Sequence, residues 1–137
     1  MADSMNSYEA GQHDTRPWGD WAVLDTGPGF CVKRIRVAPG GVLSLQRHAH
    51  RAEHWVVVSG SAVVTRNHET LNLAPDQSVY LSRGDVHRVS NPGADMLVFI
   101  EVQTGAILDE ADIERLEDVY GRTAGVSTAS PPARPPR

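Results

Sequence analysis

Turn-forming residues divide this chain at short, regular intervals, and that spacing constrains the fold more than any other feature. The turn signals are Gly27-Pro28-Gly29, Pro39-Gly40-Gly41, Ser59-Gly60, Asn67-His68, Ala74-Pro75-Asp76, Arg83-Gly84-Asp85 and Asn91-Pro92-Gly93. The segments between them favour β-branched and aromatic residues, as half-buried strands do: FCVKRIRV, HWVVVSGSAVVTR, QSVYLS and MLVFIEVQ. Many short strands separated by frequent turns are typical of a β-sandwich or β-barrel, so we predict an all-β fold.

The chain has room for one domain with one hydrophobic core, since it contains 137 residues. The opening residues are polar, and we expect 1–15 to form a flexible arm. Residues 16–122 carry the strand pattern and should form the domain. The final segment, 123–137, is rich in Pro, Ser and Ala and has little to bury, so we expect a disordered tail.

One segment near the C-terminus departs from the β pattern. Apolar residues recur there at helical spacing, at Ile113, Leu116 and Val119 or Tyr120. Asp109 precedes them, and aspartate is a favoured residue at a helix N-cap. The sequence therefore predicts one short C-terminal helix that closes the domain.

Charge and composition exclude several classes of partner. The net charge of -4 at pH 7 is unfavourable for binding nucleic acid or an anionic membrane surface. No apolar run approaches the length of a membrane span, and the opening residues lack the basic and apolar regions of a secretory signal. The single cysteine, Cys31, excludes an internal disulfide. We expect a soluble cytoplasmic protein.

Side chains that commonly bind metals are concentrated on one predicted strand and after one glycine turn. Residues two apart on a strand share a face, so Gln46, His48 and His50 form one row. Glu53 follows shortly after, and His87 lies at the start of another predicted strand. Imidazole, amide and carboxylate groups all suit a divalent first-row metal ion. The row alone leaves open whether Gln46 or His50 is a ligand beside His48.

Two separated spacing patterns resemble the two motifs of the cupin family. The patterns are Gly40-x5-Gln46-x-His48-x4-Glu53-x6-Gly60 and Gly84-x2-His87-x3-Asn91. The resemblance implies a double-stranded β-helix, or jelly-roll, barrel that holds one metal ion. The implied ligands are Gln46, His48, Glu53 and His87. His50 stands too close to Glu53 for the motif and is assigned instead either to a contact with the metal ligands or to the substrate.

From Arg16 to Arg122 the chain resembles the cupin half of type II mannose-6-phosphate isomerases. The segments that carry this resemblance are RPWG at Arg16, VKRI at Val32, LSLQ-x-H-x-HRAEHWVVVSG from Leu43, HR-x-x-NPG from His87, IEVQ-x-G from Ile100 and the closing DI-x-R-x-ED-x-YGR. It implies a phosphorylated sugar as substrate. The mixed nitrogen and oxygen donor set suits Mn²⁺ or Zn²⁺, with Fe²⁺ and Co²⁺ as alternatives. We expect a stand-alone form of the domain. Because small cupins commonly pair their edge strands, we also expect a homodimer.

Strand parity selects further residues for the chemistry. Ile35 and Val37 have the character of core residues, so Lys33 and Cys31 should point inward with them. An inward Lys33 would anchor a phosphate group or transfer a proton. His54 is a further catalytic candidate because it follows a predicted metal ligand.

Four residues are predicted to bind the substrate because they flank the ligands or lie near the mouth of the barrel. They are Arg16, His50, Arg51 and Arg88. Glu101 is a further candidate without an assigned role, since it interrupts an apolar strand. Trp55 shares the parity of Glu53 and is interpreted as a core residue.

Three functions agree with these residues. The first, which we favour, is metal-dependent isomerisation of a sugar phosphate through an enediolate. The second follows from a further resemblance to cupins that use a small thiol to remove the methylthio group of 1-methylthio-xylulose 5-phosphate, giving 1-deoxy-xylulose 5-phosphate. An inward-facing Cys31 suggests this reaction. The third is non-catalytic sugar binding, because a fold does not fix a function.

Overall fold

Residues 4–121 are described in the computed structural model of the protein. The tail predicted at 123–137 lies outside the described residues. The described part contains strands and turns but no helix, which confirms the predicted all-β fold. It therefore holds no helix of the length and apolarity that crossing a membrane requires.

Thirteen strands are present between residues 4 and 121. In chain order they are β1 (Met5–Asn6), β2 (His13–Arg16), β3 (Gly19–Gly27), β4 (Phe30–Val37), β5 (Leu45–Arg47), β6 (Ala52–Ser59), β7 (Ala62–Arg66), β8 (Glu69–Leu73), β9 (Ser78–Leu81), β10 (His87–Ser90), β11 (Leu97–Thr104), β12 (Ile107–Leu108) and β13 (Glu114–Glu117). Six of them form one sheet in the order β2-β3-β4-β11-β6-β9, and five form a second sheet in the order β13-β5-β10-β7-β8. Both sheets are antiparallel, and the short strands β1 and β12 pair in parallel.

A single hydrophobic core joins the inward faces of the two large sheets. The six-stranded sheet contributes Trp21, Ile35, Val57 and Phe99, among others, and the five-stranded sheet contributes Val64 and Val89. Alternation of buried and exposed residues along β4 and β11 follows the two-residue period of strands that have one face against a core.

The inward row across the middle of the six-stranded sheet is partly polar. Backbone pairing aligns Val23, Lys33, Glu101, Trp55 and Val79 on five adjacent strands. Because directly paired residues point to the same face, the lysine and the glutamate both face the barrel interior. Polar groups therefore interrupt the core at this level of the barrel.

The predicted C-terminal helix is wrong. Residues after Asp109 form a turn in which its backbone carbonyl accepts a hydrogen bond from the Asp112 N–H at 3.0 Å. The chain then enters strand β13, which pairs with β5 and completes the edge of the five-stranded sheet. Leu116, expected on the buried face of the helix, is 40% exposed. Pairing with an available sheet edge prevails here over a short helical spacing of apolar residues.

The N-terminal segment, expected as a flexible arm up to residue 15, instead contributes to the barrel from Met5 onward. Strand β2 extends the edge of the six-stranded sheet, and β1 pairs with β12. Between them Tyr8 is buried in the core. Backbone hydrogen bonds to sheet edges do not require apolar side chains, which is why the polar sequence gave no sign of these strands.

Two residues of the cupin-like spacing pattern have structural roles. Gly60 has a φ of +85°, and a Cβ placed there would lie 2.7 Å from the carbonyl oxygen of Met96. The buried Asn91 side chain donates hydrogen bonds of 2.8 Å to the backbone carbonyls of Val37 and Asp95. These contacts tie the turns at one end of the barrel together.

Candidate metal centre

Three predicted ligands come together inside the barrel. His48 follows β5, Glu53 lies on β6 and His87 begins β10. One ligand atom of each residue lies within 4.8 Å of the others, and all three side chains are buried. Two imidazole nitrogens and one carboxylate form a donor set that suits a divalent first-row metal ion.

Backbone carbonyls fix the orientation of both imidazole rings. The His48 Nδ1 atom lies 2.7 Å from the carbonyl oxygen of Asp112, and the His87 Nδ1 atom lies 3.0 Å from that of Asp85. Each Nδ1 must therefore carry the hydrogen, which leaves Nε2 as a lone-pair donor. The His48 Nε2 atom faces the Glu53 carboxylate at 3.2 Å. A second hydrogen bond that orients the ring is the usual arrangement around metal-binding histidines.

The protonation states also fit a metal site. Burial lowers the pKa of His48 to about 4, and burial likewise lowers the pKa of His87. Burial alone would raise the pKa of Glu53, but attraction to His48, Arg51 and His87 in their protonated forms holds it below its usual range, so Glu53 loses its proton at a pH where both histidines are still charged. At neutral pH the site therefore presents two neutral imidazoles and an ionised carboxylate, the forms in which these groups bind metals.

Gln46 lies on the same face as this group. Its backbone pairs directly with His87, so the two side chains share one side of the five-stranded sheet. The Gln46 amide nitrogen is 3.4 Å from the carbonyl oxygen of Ser44, which leaves the amide oxygen as an available ligand. The structure thus places all four predicted ligands at one end of the barrel interior.

Arg51 reaches further into the site than its prediction as a substrate-binding residue implied. Its Nε atom donates to Glu53 Oε2 at 2.8 Å, and one Nη atom lies 3.4 Å from His48 Nε2. The other Nη donates to the carbonyl oxygen of Asp109 at 3.2 Å. The guanidinium group is buried and contacts ligand atoms of two predicted metal ligands. The negative charge of Glu53 thus attracts the positive charge of Arg51 into the site.

A second buried carboxyl group lies deeper in the barrel. Glu101 is 6% exposed, and its Oε2 atom accepts a 2.6 Å hydrogen bond from the Gln103 side chain. Burial, followed by the negative charge of Glu53, raises the pKa of Glu101 to about 7. This carboxyl group can therefore gain and lose a proton near neutral pH.

Lys33 points inward as predicted and is held by a network with two unpredicted partners. Its Nζ atom is 2.5 Å from a carboxylate oxygen of Glu110 and 3.3 Å from the Tyr8 hydroxyl. The same Glu110 oxygen accepts a 2.5 Å hydrogen bond from Tyr8. The ammonium group also lies 4.1 Å from the centre of the Trp21 ring, a cation–π distance.

Arg16 lies at the rim of the same region, as its prediction at the barrel mouth implied. It forms an ion pair with Asp14 and approaches Glu110 at 3.6 Å. Together with Lys33, Gln46 and Arg51 it lines a cavity that opens beside the predicted ligands. Arg115 also lines this cavity, and a cavity with four cationic groups at its wall favours an anionic ligand.

Two of the predicted site residues point away from the interior. His54 is exposed on the outer face of β6, where its ring lies 4.5 Å from that of Tyr80. Arg88 points outward from β10 and donates to Glu117 at 3.0 Å and to the Leu43 carbonyl. Each immediately follows an inward-facing ligand, and neighbouring residues on a strand face opposite sides. The catalytic role of His54 and the substrate-binding role of Arg88 are therefore wrong for this site.

His50 and Cys31 also differ from expectation. Strand β5 ends at Arg47, so His50 lies in an exposed turn, where its backbone N–H donates to Asp112. Cys31 does face inward, but its side chain is fully buried. Burial raises the pKa of the Cys31 thiol to about 11, which keeps it protonated at neutral pH and makes it a poor nucleophile.

Sequence reasoning missed four residues that shape the site. Tyr8 and Glu110 hold Lys33, Asp112 orients His48, and Gln103 contacts Glu101. Gln103 carries a signal that was available: it lies two residues from Glu101 and must share its inward face. The other three lie in segments that had been assigned to a flexible arm or a helix.

The barrel of two antiparallel sheets with the buried group of His48, Glu53 and His87 at one end is that of a cupin. A solved structure with this fold is the S161A mutant of Bacillus subtilis oxalate decarboxylase OxdC, with a TM-score of 0.67 at 21% identity. The alignment covers 77% of this chain and 30% of that one. At this identity the match shows the fold alone.

The family can be stated more closely. The family model described as mannose-6-phosphate isomerase C-terminal matches residues 3–118, and the chain belongs to that family. It is 58% identical over 109 residues to the alginate biosynthesis protein AlgA of Pseudomonas aeruginosa, covering 80% of this chain and 23% of AlgA. It is 46% identical over 121 residues to the mannose-1-phosphate guanylyltransferase ManC of Salmonella typhimurium, covering 88% of this chain and 25% of ManC. The chain thus spans about a quarter of the length of these relatives.

Proposed function

We propose that this chain is a metal-dependent sugar-phosphate isomerase that interconverts mannose 6-phosphate and fructose 6-phosphate. The observation that carries the proposal is the buried group of His48, Glu53 and His87 beside a cavity lined by Arg16, Lys33 and Arg51. A metal site and an anion-binding wall are the two parts that this reaction needs. The family description and the sugar-phosphate chemistry named for ManC support the same substrate class.

The reaction moves a proton between two adjacent carbon atoms of the sugar. A bound divalent ion would supply electrophilic stabilisation of the negative charge that develops on the substrate oxygens. His48, Glu53, His87 and Gln46 would hold that ion. Manganese or zinc as the ion, a homodimer and a cytoplasmic location remain predictions from the sequence.

Glu101 is the carboxyl group that we propose as proton acceptor. It faces the interior between Lys33 and Trp55, and its pKa of about 7 suits a group that must both take up and return a proton near neutral pH. Gln103 holds one of its oxygens and so fixes the orientation of the carboxyl group. Glu101→Gln tests this role. The variant should show a large loss of kcat, and the acidic limb of the pH profile of kcat should disappear.

The thiol-dependent alternative gains no support from the geometry. Cys31 was the residue that suggested it, and its thiol is fully buried with a raised pKa. A Cys31→Ser variant should therefore retain its isomerase activity.

The decisive experiment is an assay of mannose 6-phosphate and fructose 6-phosphate interconversion by protein loaded with Mn²⁺ or Zn²⁺. Glu53→Gln removes the buried negative charge of the site and should abolish both metal binding and turnover. Glu114→Gln, at an exposed carboxylate on β13, is the matched control and should leave both unchanged. Absence of turnover in metal-loaded wild-type protein that still binds the sugar phosphate would instead support the non-catalytic binding function.

A further inference from the structure

The cavity beside the candidate metal centre contains more positive charge than its described acidic residues balance. The cationic residues of its wall are Arg16, Lys33, Arg51 and Arg115, and Glu110 is the one acidic residue among the described residues that line it. Arg51 is already paired with Glu53, which belongs to the metal site. Arg16 also pairs with Asp14, which does not line the cavity, so Glu110 is the single carboxylate of the wall that Arg16 and Lys33 share.

Two buried hydrogen-bonding groups of this wall have no partner in the described part of the chain. They are the Trp21 indole N–H and the Ser44 hydroxyl. An indole nitrogen can only donate, so what Trp21 lacks is an acceptor. Buried polar groups in folded proteins nearly always have a partner, and an unpaired one at a cavity wall indicates a ligand that supplies it.

Glu110 itself occupies a position suited to a more highly charged anion. One of its carboxylate oxygens accepts from Lys33 and Tyr8, both at 2.5 Å, and the other approaches Arg16 at 3.6 Å. Its side chain is 36% exposed and belongs to the turn between β12 and β13 rather than to a strand. Two cationic groups of the wall, Lys33 and Arg16, and the neighbouring Tyr8 hydroxyl thus converge on one carboxylate that reaches in from the rim.

We propose that this cavity binds the phosphate dianion of the substrate, and that the phosphate takes the position now held by the Glu110 carboxylate. Arg16 and Lys33 supply two positive charges, and the Trp21 indole N–H donates to a phosphate oxygen. A phosphate has more acceptor oxygens and a larger negative charge than a carboxylate, so it satisfies more of these donors. The assignment of the ligand as a sugar phosphate rests on the proposed function.

The charge balance also predicts the effect of removing Glu110. An internal carboxylate that shares its partners with the ligand competes with that ligand. Glu110→Gln keeps the shape of the side chain but removes the competing charge, so phosphate should bind more tightly. Replacement of Arg16 or of the Trp21 N–H should weaken phosphate binding without removing the fold, because Arg16 lies at the rim and Trp21→Phe retains an aromatic ring.

The test is a calorimetric titration of metal-free protein with inorganic phosphate and with mannose 6-phosphate, with uncharged mannose as the reference ligand. Relative to wild type, Glu110→Gln should bind phosphate about tenfold more tightly, whereas Arg16→Gln and Trp21→Phe should bind it about tenfold more weakly. Glu114→Gln removes the same charge from the exposed face of β13 and should bind as wild type. Circular dichroism and thermal melting confirm that each variant is folded.

The outcomes separate this proposal from the proposed function. Unchanged phosphate affinity in folded Glu110→Gln and Arg16→Gln variants would overturn the phosphate position, even if wild-type protein isomerises mannose 6-phosphate. The predicted pattern of affinities without turnover would support the phosphate position and contradict the isomerase assignment. A gain of affinity in Glu114→Gln equal to that in Glu110→Gln would also overturn the proposal, because it would reflect overall charge alone.

Discussion

The buried Glu101 carboxyl group gives a quantitative prediction about the stability of the metal-free protein. Burial and the charge of Glu53 raise its pKa from 4.5 to about 7. A folded-state pKa above the unfolded value means that the group contributes fully to stability below pH 4.5 and loses this contribution as the pH rises through 7. A rise from 4.5 to about 7 corresponds to roughly 3 kcal/mol.

Glu101→Gln isolates this effect because the amide resembles the protonated acid in shape and charge. Gln103 can still donate to the amide oxygen of the variant. The Gln103 Oε1 atom is buried without a partner in the described structure and is a candidate acceptor for the new amide N–H. The variant should therefore lack the pH dependence that Glu101 imposes. Its stability relative to wild type should increase by roughly 2 to 3 kcal/mol between pH 5 and pH 8.

The assay is urea unfolding followed by tryptophan fluorescence, at several pH values and with a chelator present. Glu9→Gln is the matched control, because Glu9 is an exposed carboxylate, and its stability should follow that of wild type across the range. Parallel stability curves for wild type and Glu101→Gln would refute the reasoning. They would show that the Glu101 carboxyl group has the same proton affinity in the folded and unfolded chains.

Three further variants test the turns and the histidine support. Gly60→Ala should lower the free energy of unfolding in urea by roughly 2 to 4 kcal/mol, because φ is positive and a Cβ would lie 2.7 Å from a carbonyl oxygen. Gly40→Ala is the control: it has a similar φ but open space, so its free energy of unfolding should fall by only about 1 kcal/mol. Asn91→Ala removes two buried donors and should lose roughly 2 to 4 kcal/mol by the same measurement; a loss below about 0.5 kcal/mol would contradict this role. Asp112→Ala frees the turn that orients His48 and should weaken Zn²⁺ binding about tenfold in a competition titration, whereas unchanged affinity would show that the turn holds its position unaided.

The sheet content and the inward position of Lys33 were predictable because both depend on local rules. Turn residues at short intervals leave room only for strands, and the two-residue period of a strand places Lys33 on the inward side with Ile35. These features need no knowledge of which strands pair. The ligand set from Gln46 to His87 came instead from the resemblance to the cupin motifs.

The errors at His54 and Arg88 were avoidable by the same rule. Each is the immediate neighbour of a predicted inward ligand, so strand parity places it outside. Closeness in sequence to Glu53 and His87 is thus a poor indication of closeness in space within a strand. The two-residue period along β11, by contrast, places Gln103 on the same inward face as Glu101, so Gln103 was predictable as a site residue.

The partners of Lys33 could not be predicted from local pattern. Tyr8 and Glu110 are 102 residues apart in the chain, and their contact depends on the parallel pairing of β1 with β12. Isolated two-residue strands are too short to show a periodic pattern. The turn after β12 resembles a helix start in sequence because the Asp109 side chain accepts a hydrogen bond from the Ala111 backbone N–H, but the chain continues as a turn. Tertiary pairing decides the structure of both segments.

The polar groups of the barrel interior lower the stability of the fold, and their positions therefore indicate the functional site. A buried carboxyl near neutral pKa at Glu101, an ion pair between Arg51 and Glu53 shielded from water, and an unpaired indole N–H at Trp21 are all unfavourable in a protein core. Apolar residues at these positions would be expected to make a more stable barrel, as they do at Val57 and elsewhere in the core. Glu53 is a predicted ligand, and Arg51 and Trp21 line the cavity beside the ligands. The stability gain expected for Glu101→Gln at high pH should therefore be accompanied by loss of the proposed isomerase activity, whereas a neutral substitution outside the site should change neither.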